Sequence, residues 1–286
     1  MQLLNVELIK EQLITRNFTK FINFYLFPTI DSTNLFLKKL PTNKQTIQSN
    51  NHRVIYHPIK TSSICRQIDL CCAEEQKNGR GRFGRQWYSP FGTNIYCSWR
   101  WQIINPPHNL EGLSLVIGLA VLSMLKELQI ADEILIKWPN DLLWRGKKIC
   151  GILVEILEKN SNLDLIIGVG LNVNMLCTQE LAAGNWGSLY EITGEYFDRN
   201  LLIAALLAQI DLNLENFIFN GFKQFRPQWQ TVDYLYGQQI LAAGATGSIA
   251  GTASGVDDYG KLCLVDTAGF AHVLSAAVAS ITFQPK

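Results

Sequence analysis

The chain has 286 residues, 48% of them hydrophobic and 17% charged. That length supports a sizeable core in one or two domains, and the composition excludes a disordered or fibrous chain. With 25 basic and 24 acidic residues the net charge is +1, which excludes the broad basic footprint of a dedicated nucleic-acid binder, so any cationic function must be local. Seven cysteines include no C-x-x-C pair, and they predict free buried thiols in a reducing cytoplasm, with neither a disulfide framework nor a zinc site. The N-terminus lacks the pattern of a secretory signal, and no uninterrupted apolar run is long enough to suggest a membrane span.

Residues 3–16 have the spacing of a short amphipathic helix. The aromatic run "FINFYLFPTI" (21–30) reads as a strand and leads into "DSTNLFLKKL", where Asp31 or Ser32 suits a helix N-cap with Leu35, Leu37 and Leu40 on the buried side. Residues 41–63 are polar and read as a loop or insertion. "QIDLCCAEEQ" (67–76) and "NIYCSWRWQI" (94–103) read as strands, the second with Ile95, Cys97, Trp99 and Trp101 on one face. A helix is predicted over 109–129. Three strands follow, at 133–138, 148–159 and 163–174, and a second long helix covers 199–217. Beyond about 232 the texture changes to short β-like pieces with glycine turns, which predicts a small all-β module over 233–286 after a mixed domain over 1–232.

Between the first two strands of this middle region lies Gly79 to Trp87, "GRGRFGRQW". Its first six residues fit G-x-G-x-x-G, but a dinucleotide fingerprint also needs a helix opening inside it and an acidic residue about 20 positions on. Pro90 and Gly92 oppose the helix, and no Asp or Glu occurs between Glu75 and Glu111. The kinase motifs H-R-D and D-F-G and the P-loop pattern are absent too. What remains is three guanidiniums on a flexible glycine-rich stretch, suited to a polyoxygen anion such as a triphosphate or acyl phosphate; a solvated basic turn is the plain alternative.

Four other segments decide between these readings: "DSTN" (31–34), "AEEQ" (73–76), "KWPND" (137–141) with "GILVE" (151–155), and "GVGLNVN" (168–174). With "GRGRFGRQW", and in this order, they resemble the biotin protein ligases over roughly residues 25–230, and the C-terminal module is similar to that family's small SH3-like domain. Two features depart from the pattern. The interval between "DSTN" and "AEEQ" is long, and the residues before "FPTIDSTN" leave no room for the winged helix-turn-helix of ligases that double as repressors. The resemblance is therefore to the form without an N-terminal DNA-binding domain, and no specific DNA binding is expected.

The resemblance implies an α+β fold with a mixed, mostly antiparallel sheet akin to class II aminoacyl-tRNA synthetases. It implies a cytoplasmic ligase, monomer or homodimer, that takes ATP and biotin as substrates. Biotin is activated as biotinyl-5′-AMP and transferred to a lysine of the biotin carboxyl carrier protein of acetyl-CoA carboxylase. Lys137 and Arg82 carry the chemistry, Lys137 bridging biotin's carboxylate and the α-phosphate. Ser32, Thr33, Asn34, Gln76, Arg80, Gly81, Arg82 and Lys137 are expected around biotin, whose ureido ring offers two N–H donors and one carbonyl. Arg82, Arg85, Trp87, Asn140 and Asn172 are expected around ATP, with Trp87 stacking on adenine and Asn172 reading its edge. Mg²⁺ arrives with the ATP phosphates rather than in a dedicated protein site, helped by Asp141 or Glu155. Lys148 also sits on a matching motif, and Gly151 and Gly170 permit close approach of strand or ligand. Three rivals stand beside this reading: a lipoate–protein ligase, which would have no use for the polar Ser32, Thr33 and Gln76; a biotin-responsive repressor; and a dehydrogenase.

Overall fold

Alternating apolar residues build a seven-stranded sheet whose two faces are covered by different helices. The computed structural model describes residues 2–41, 64–104, 106–130, 132–159, 162–176, 185–244, 247–276 and 280–283. The strands are β1 (Phe21–Ile30), β2 (Ile64–Gln76), β3 (Ile95–Ile104), β4 (Ile134–Lys137), β5 (Asp141–Trp144), β6 (Lys147–Lys159) and β7 (Asn162–Leu171), in spatial order β1-β2-β3-β7-β6-β5-β4. β1 and β2 run parallel, and every other neighbouring pair is antiparallel. The parallel step is bridged by the short helix α2 (Thr33–Lys39), since parallel neighbours need a crossover.

Helices α1 (Val6–Thr15), α3 (Leu113–Glu127) and α5 (Arg199–Asn220) pack together over one face, with α3 and α1 against α5. That face collects Leu70, Cys72, Cys97, Trp99, Trp101 and Ile167 into the main core. α2 covers the other face, where Leu37 meets Cys71 and Ile166. β3 is therefore buried on both sides along nearly its whole length, so its predicted alternation sorts faces but not exposure. α5 is long and apolar enough to cross a membrane by length and composition, yet Leu202, Ile203, Leu206 and Leu207 are fully buried in the protein's own core. Two short helices, α4 (Leu189–Thr193) and α6 (Arg226–Gln230), complete the helical complement among the described residues.

A second sheet follows: β8 (Gln239–Gly244), β9 (Gly247–Val256), β10 (Leu262–Asp266), β11 (Ala271–Leu274) and β12 (Ser280–Phe283), ordered β11-β10-β9-β8-β12 and antiparallel throughout. The segment leading into it is joined to the first sheet by backbone hydrogen bonds from Ile136 N to Val232 O (2.8 Å) and from Tyr234 N to Ile136 O (3.0 Å). The Trp138 indole also donates to Gly260 O (3.0 Å). Ile240, Ala253, Leu262 and Leu264 belong to the main core.

The structure adjusts several expectations. The first helix runs 6–15 rather than 3–16, because Asn5 caps it by accepting from Glu7 N and Leu8 N. The helix expected over 109–129 begins after Gly112, and the one expected over 199–217 extends to 220. Where three strands were expected between 133 and 174 there are four; β5 escaped notice because it is a four-residue strand directly after a proline turn. The polar stretch at 41–63 lies, Pro41 excepted, outside the described residues.

Candidate functional site

Lys137 ends β4, whose Ile134 and Ile136 are buried, so the strand carrying the ammonium is anchored from below. Opposite it in register stands Asp141, which pairs with Lys148 at 2.7 Å. The Phe283 ring of β12 lies 5.1 Å from Lys137 Nζ. Burial is the main influence on the ammonium and pushes its pKa below the ordinary lysine value; Lys148 and Arg85 push the same way and Asp141 opposes them. The turn between β4 and β5 is held to β6 by Asn140, whose Nδ2 donates to Ile152 O (2.8 Å) while Ile152 N donates to Asn140 O (3.0 Å).

The Gly/Arg loop is folded. Expected as a stretch of little intrinsic order, it is closed by hydrogen bonds from Gly81 N to Arg85 O (2.7 Å) and from Trp87 N to Gly79 O (2.9 Å) around a 3₁₀ turn at Arg82–Gly84. Phe83 and Gly84 at its tip both have positive φ, 55° and 73°. The run leads to β3 and to no α-helix, which agrees with rejecting the dinucleotide fingerprint. Arg82 turns inward and donates to the carbonyl of Ala276, near the end of the second sheet. Its guanidinium pKa is lowered chiefly by burial, with Asp141 opposing and Arg85 reinforcing.

The start of α2 forms the polar floor. Ser32 caps the helix by accepting from Leu35 N (3.4 Å), and Ser32, Thr33 and Asn34 are all buried. Gln76 Oε1 accepts from Thr33 N (2.9 Å) and from its hydroxyl (3.2 Å), while Gln76 Nε2 donates to Ser89 Oγ (3.2 Å). Asn34 lies directly on the sheet: a Cβ placed on Gly168 would come within 2.1 Å of its Oδ1. Further along the same face of the sheet the Trp87 indole lies on the backbone of Gly151 and Gly170, where an added Cβ would meet the ring at 2.8 and 2.5 Å. Trp186 packs edge-on against Trp87 at 4.9 Å, and Trp87 Nε1, buried, has no hydrogen-bond partner among the described residues.

Of the residues singled out from the sequence, Ser32, Thr33, Asn34, Gln76, Arg80, Gly81, Arg82, Arg85, Trp87, Lys137 and Asn140 line one cavity, together with Asp141, Lys148, Gly151 and Gly170. Asn172 is the exception. It is buried behind the wall, and its Nδ2 is taken by Gly187 O (2.9 Å) and Lys148 O (3.3 Å), so the amide expected to read adenine is occupied by backbone. Glu155 does not line the cavity either; it pairs with Lys38 at 3.1 Å and accepts from Asn34. No cluster of three or more metal-binding side chains occurs among the described residues, and Asp141 is the carboxylate on the cavity wall. Sequence reasoning missed Trp186, Ile281 and the Phe283 ring, which come from distant segments with no local motif. It also missed Ser98, buried beneath the floor, for which the alternation of β3 was the available signal.

The arrangement is a pocket with a polar floor at one end, an indole at the other, and cations between them. Comparison with known proteins agrees with its chemistry. The model of the biotin/lipoate A/B protein ligase family matches residues 43–172. The bifunctional ligase/repressor BirA of Salmonella typhimurium is 34% identical over 265 residues, 92% of this chain and 74% of that protein. The biotin–[acetyl-CoA-carboxylase] ligase of Mycobacterium tuberculosis is 33% identical over 208 residues, 71% of this chain and 75% of that one. Among solved structures, the biotin protein ligase from Aquifex aeolicus in complex with biotin and ATP superposes with a TM-score of 0.73 at 29% identity, covering 92% of this chain and 99% of the other.

Proposed function

Because this chain belongs to the biotin protein ligase family, we propose that its cavity is the place where biotin and ATP are joined and from which biotin is passed to a carrier protein. The protein is an ATP-dependent, AMP-forming biotin–[acetyl-CoA-carboxylase] ligase. In the first step a biotin carboxylate oxygen attacks the α-phosphorus of ATP; the bond to pyrophosphate breaks and the pyrophosphate leaves with its electron pair. In the second, a neutral lysine amine of the biotin carboxyl carrier protein attacks the acyl carbon of biotinyl-5′-AMP. AMP departs, and the amine loses a proton to give the amide.

The observation that carries the assignment of roles is the half-buried Lys137 ammonium, set between the polar floor and the Gly/Arg loop. There it stabilises the charge that builds between carboxylate and α-phosphate, and it does so without reorganisation. Arg80, Arg82 and Arg85 close over the phosphates, with Gly81 allowing backbone approach. Ser32, Thr33, Asn34 and Gln76 receive the ureido ring, and Trp87 and Asn140 flank the adenylate. Mg²⁺, when bound with ATP, supplies charge neutralisation on the phosphates. The polar floor favours biotin over lipoate, whose dithiolane ring has no N–H or carbonyl to satisfy it.

The first sheet reads as the class II aminoacyl-tRNA synthetase type and the five antiparallel strands as an SH3-like barrel, with the division near residue 232; the break between α6 and β8 supports this. Buried free thiols at Cys71, Cys72, Cys97 and Cys150 support a reducing, cytoplasmic setting. The test is biotin-dependent exchange of labelled pyrophosphate into ATP. Wild-type protein should support exchange with biotin and not with lipoate, and Lys137→Ala should slow it by roughly 10²- to 10³-fold, the cost of losing one preorganised charge-stabilising group. Exchange driven equally by lipoate, or undiminished in the variant, would sink the assignment.

A further inference from the structure

A chain of hydrogen bonds runs under the polar floor, and its direction is fixed from one end. The Asn34 amide has two unlike neighbours. Its Nδ2 faces Glu155 Oε2 (3.2 Å) and Leu153 O (3.4 Å), both acceptors. Its Oδ1 faces Ser98 Oγ (2.5 Å). Turning the amide over would set its oxygen against a carboxylate and a carbonyl, so the orientation has one solution. Asn34 also has no room to move away, because it lies flat on Gly168, the cross-strand partner of Ser98.

The consequences pass along the chain. Ser98 is fully buried, and its single proton is committed to Asn34 Oδ1. It therefore offers only lone pairs to Thr33 Oγ1, 2.7 Å away. The Thr33 hydroxyl then has acceptors within the protein on two sides, Ser98 Oγ and Gln76 Oε1 at 3.2 Å. Its proton is drawn into the floor, and what Thr33 presents to the cavity is a lone pair. Ser98 itself does not line the cavity, and neither does Glu155.

We propose that Glu155, acting through Asn34 and Ser98, sets Thr33 as a hydrogen-bond acceptor for a ureido N–H, so that Ser98 and Glu155 are positioning residues for substrate selectivity. This rests on the reading of the cavity as a biotin site. The ureido group is rich in donors, and an acceptor held in place before binding rewards an N–H and repels an oxygen at the same position. Lys38, paired with Glu155 at 3.1 Å, holds that carboxylate in place.

The experiment compares biotin with a cyclic carbamate isostere, in which a ring oxygen replaces one ureido N–H, by kcat/KM in pyrophosphate exchange. Both regioisomers of the carbamate are used. Wild type should prefer biotin strongly over one of them. Ser98→Ala removes one of the two acceptors that hold the Thr33 proton in the floor, leaving Gln76 Oε1 alone, so the preference should fall by up to about tenfold, with the KM for ATP unchanged. Glu155→Leu, at a partly exposed position, should produce the same fall. Glu155→Gln, which keeps an acceptor for Asn34, should lose less. An unchanged preference in folded Ser98→Ala and Glu155→Leu would overturn the proposal. So would a parallel rise in the KM for ATP, which marks general disruption. Absence of biotin-driven exchange in the wild type would instead remove the parent reading, and this inference with it.

Discussion

At the scale of single residues, the proposed chemistry turns on cations kept partly out of water. Burial depresses the pKa of Lys137, so its ammonium is lost at a lower pH than that of an ordinary lysine. If the charged form supports the first step, exchange activity should fall as pH rises through that depressed value. Lys137→Arg should move the fall to higher pH, since a guanidinium stays protonated there; a limb that does not move would assign it to another group. Arg82 makes a separable prediction. Its bond to the Ala276 carbonyl holds the loop tip to the end of the second sheet. Losing a charged hydrogen bond of about 1.5–3 kcal/mol corresponds to roughly 10- to 100-fold. Arg82→Gly should raise the release rate of biotinyl-AMP by that order and biotinylate bystander lysines, measured by rapid filtration and by mass spectrometry of an added protein. Both residues could be read from "KWPND" and "GRGRFGRQW" because the motifs are contiguous. The depressed pKa values could not, because burial is contributed by Phe283, Ala276 and their neighbours far along the chain.

Elements place these groups through close approach. Lys137 and Asp141 face each other only because β4 and β5 form a tight hairpin, stapled to β6 by Asn140. Trp87 reaches the cavity by lying on bare backbone at Gly151 and Gly170. An added methyl at Gly170 would sit 2.5 Å from the indole, so Gly170→Ala must displace it. The expected cost is about 1–3 kcal/mol of stability from overpacking, read from the denaturant midpoint, with a larger loss of ATP affinity than of biotin affinity. Equal losses would place Trp87 outside the nucleotide end. The sequence made the strand and helix signals visible, and the Ser32 cap as well. β5 was hidden, being four residues long, and Asn172 stands outside the cavity lining. Its motif is a local match, whereas the direction of its amide depends on the carbonyls of Lys148 and Gly187.

Across the whole molecule, one buried ion pair ties together segments distant in sequence. Arg199 Nη1 meets Glu74 Oε2 at 2.6 Å, with both residues buried. Glu74 Oε1 also accepts from Leu4 N (2.5 Å), and Arg199 Nη2 donates to Gln2 O (2.7 Å). The pair thus joins β2, the start of α5 and the N-terminal segment. Glu74→Ala leaves a buried guanidinium uncompensated and should cost about 3–5 kcal/mol, seen as a large drop in thermal midpoint. A drop no larger than that of a surface carboxylate variant would show that water reaches the pair. Composition told only that such a core was affordable, not which charges it would enclose.

What the amino-acid order determined by itself was the chemical inventory: a glycine-spaced set of arginines, a lysine at a strand end, and a polar quartet at a helix start. Those features are local, because caps, alternation and turn residues act over a few positions. Tertiary structure alone decided which of them share a cavity, that the second sheet contributes Ile281 to its wall and sets the Phe283 ring beside Lys137, and that Ser98 and Glu155 lie beneath its floor. These relations depend on strand register and on contacts between segments many residues apart. A one-residue slip reverses every side chain of a strand, and nothing within the strand itself records its neighbour.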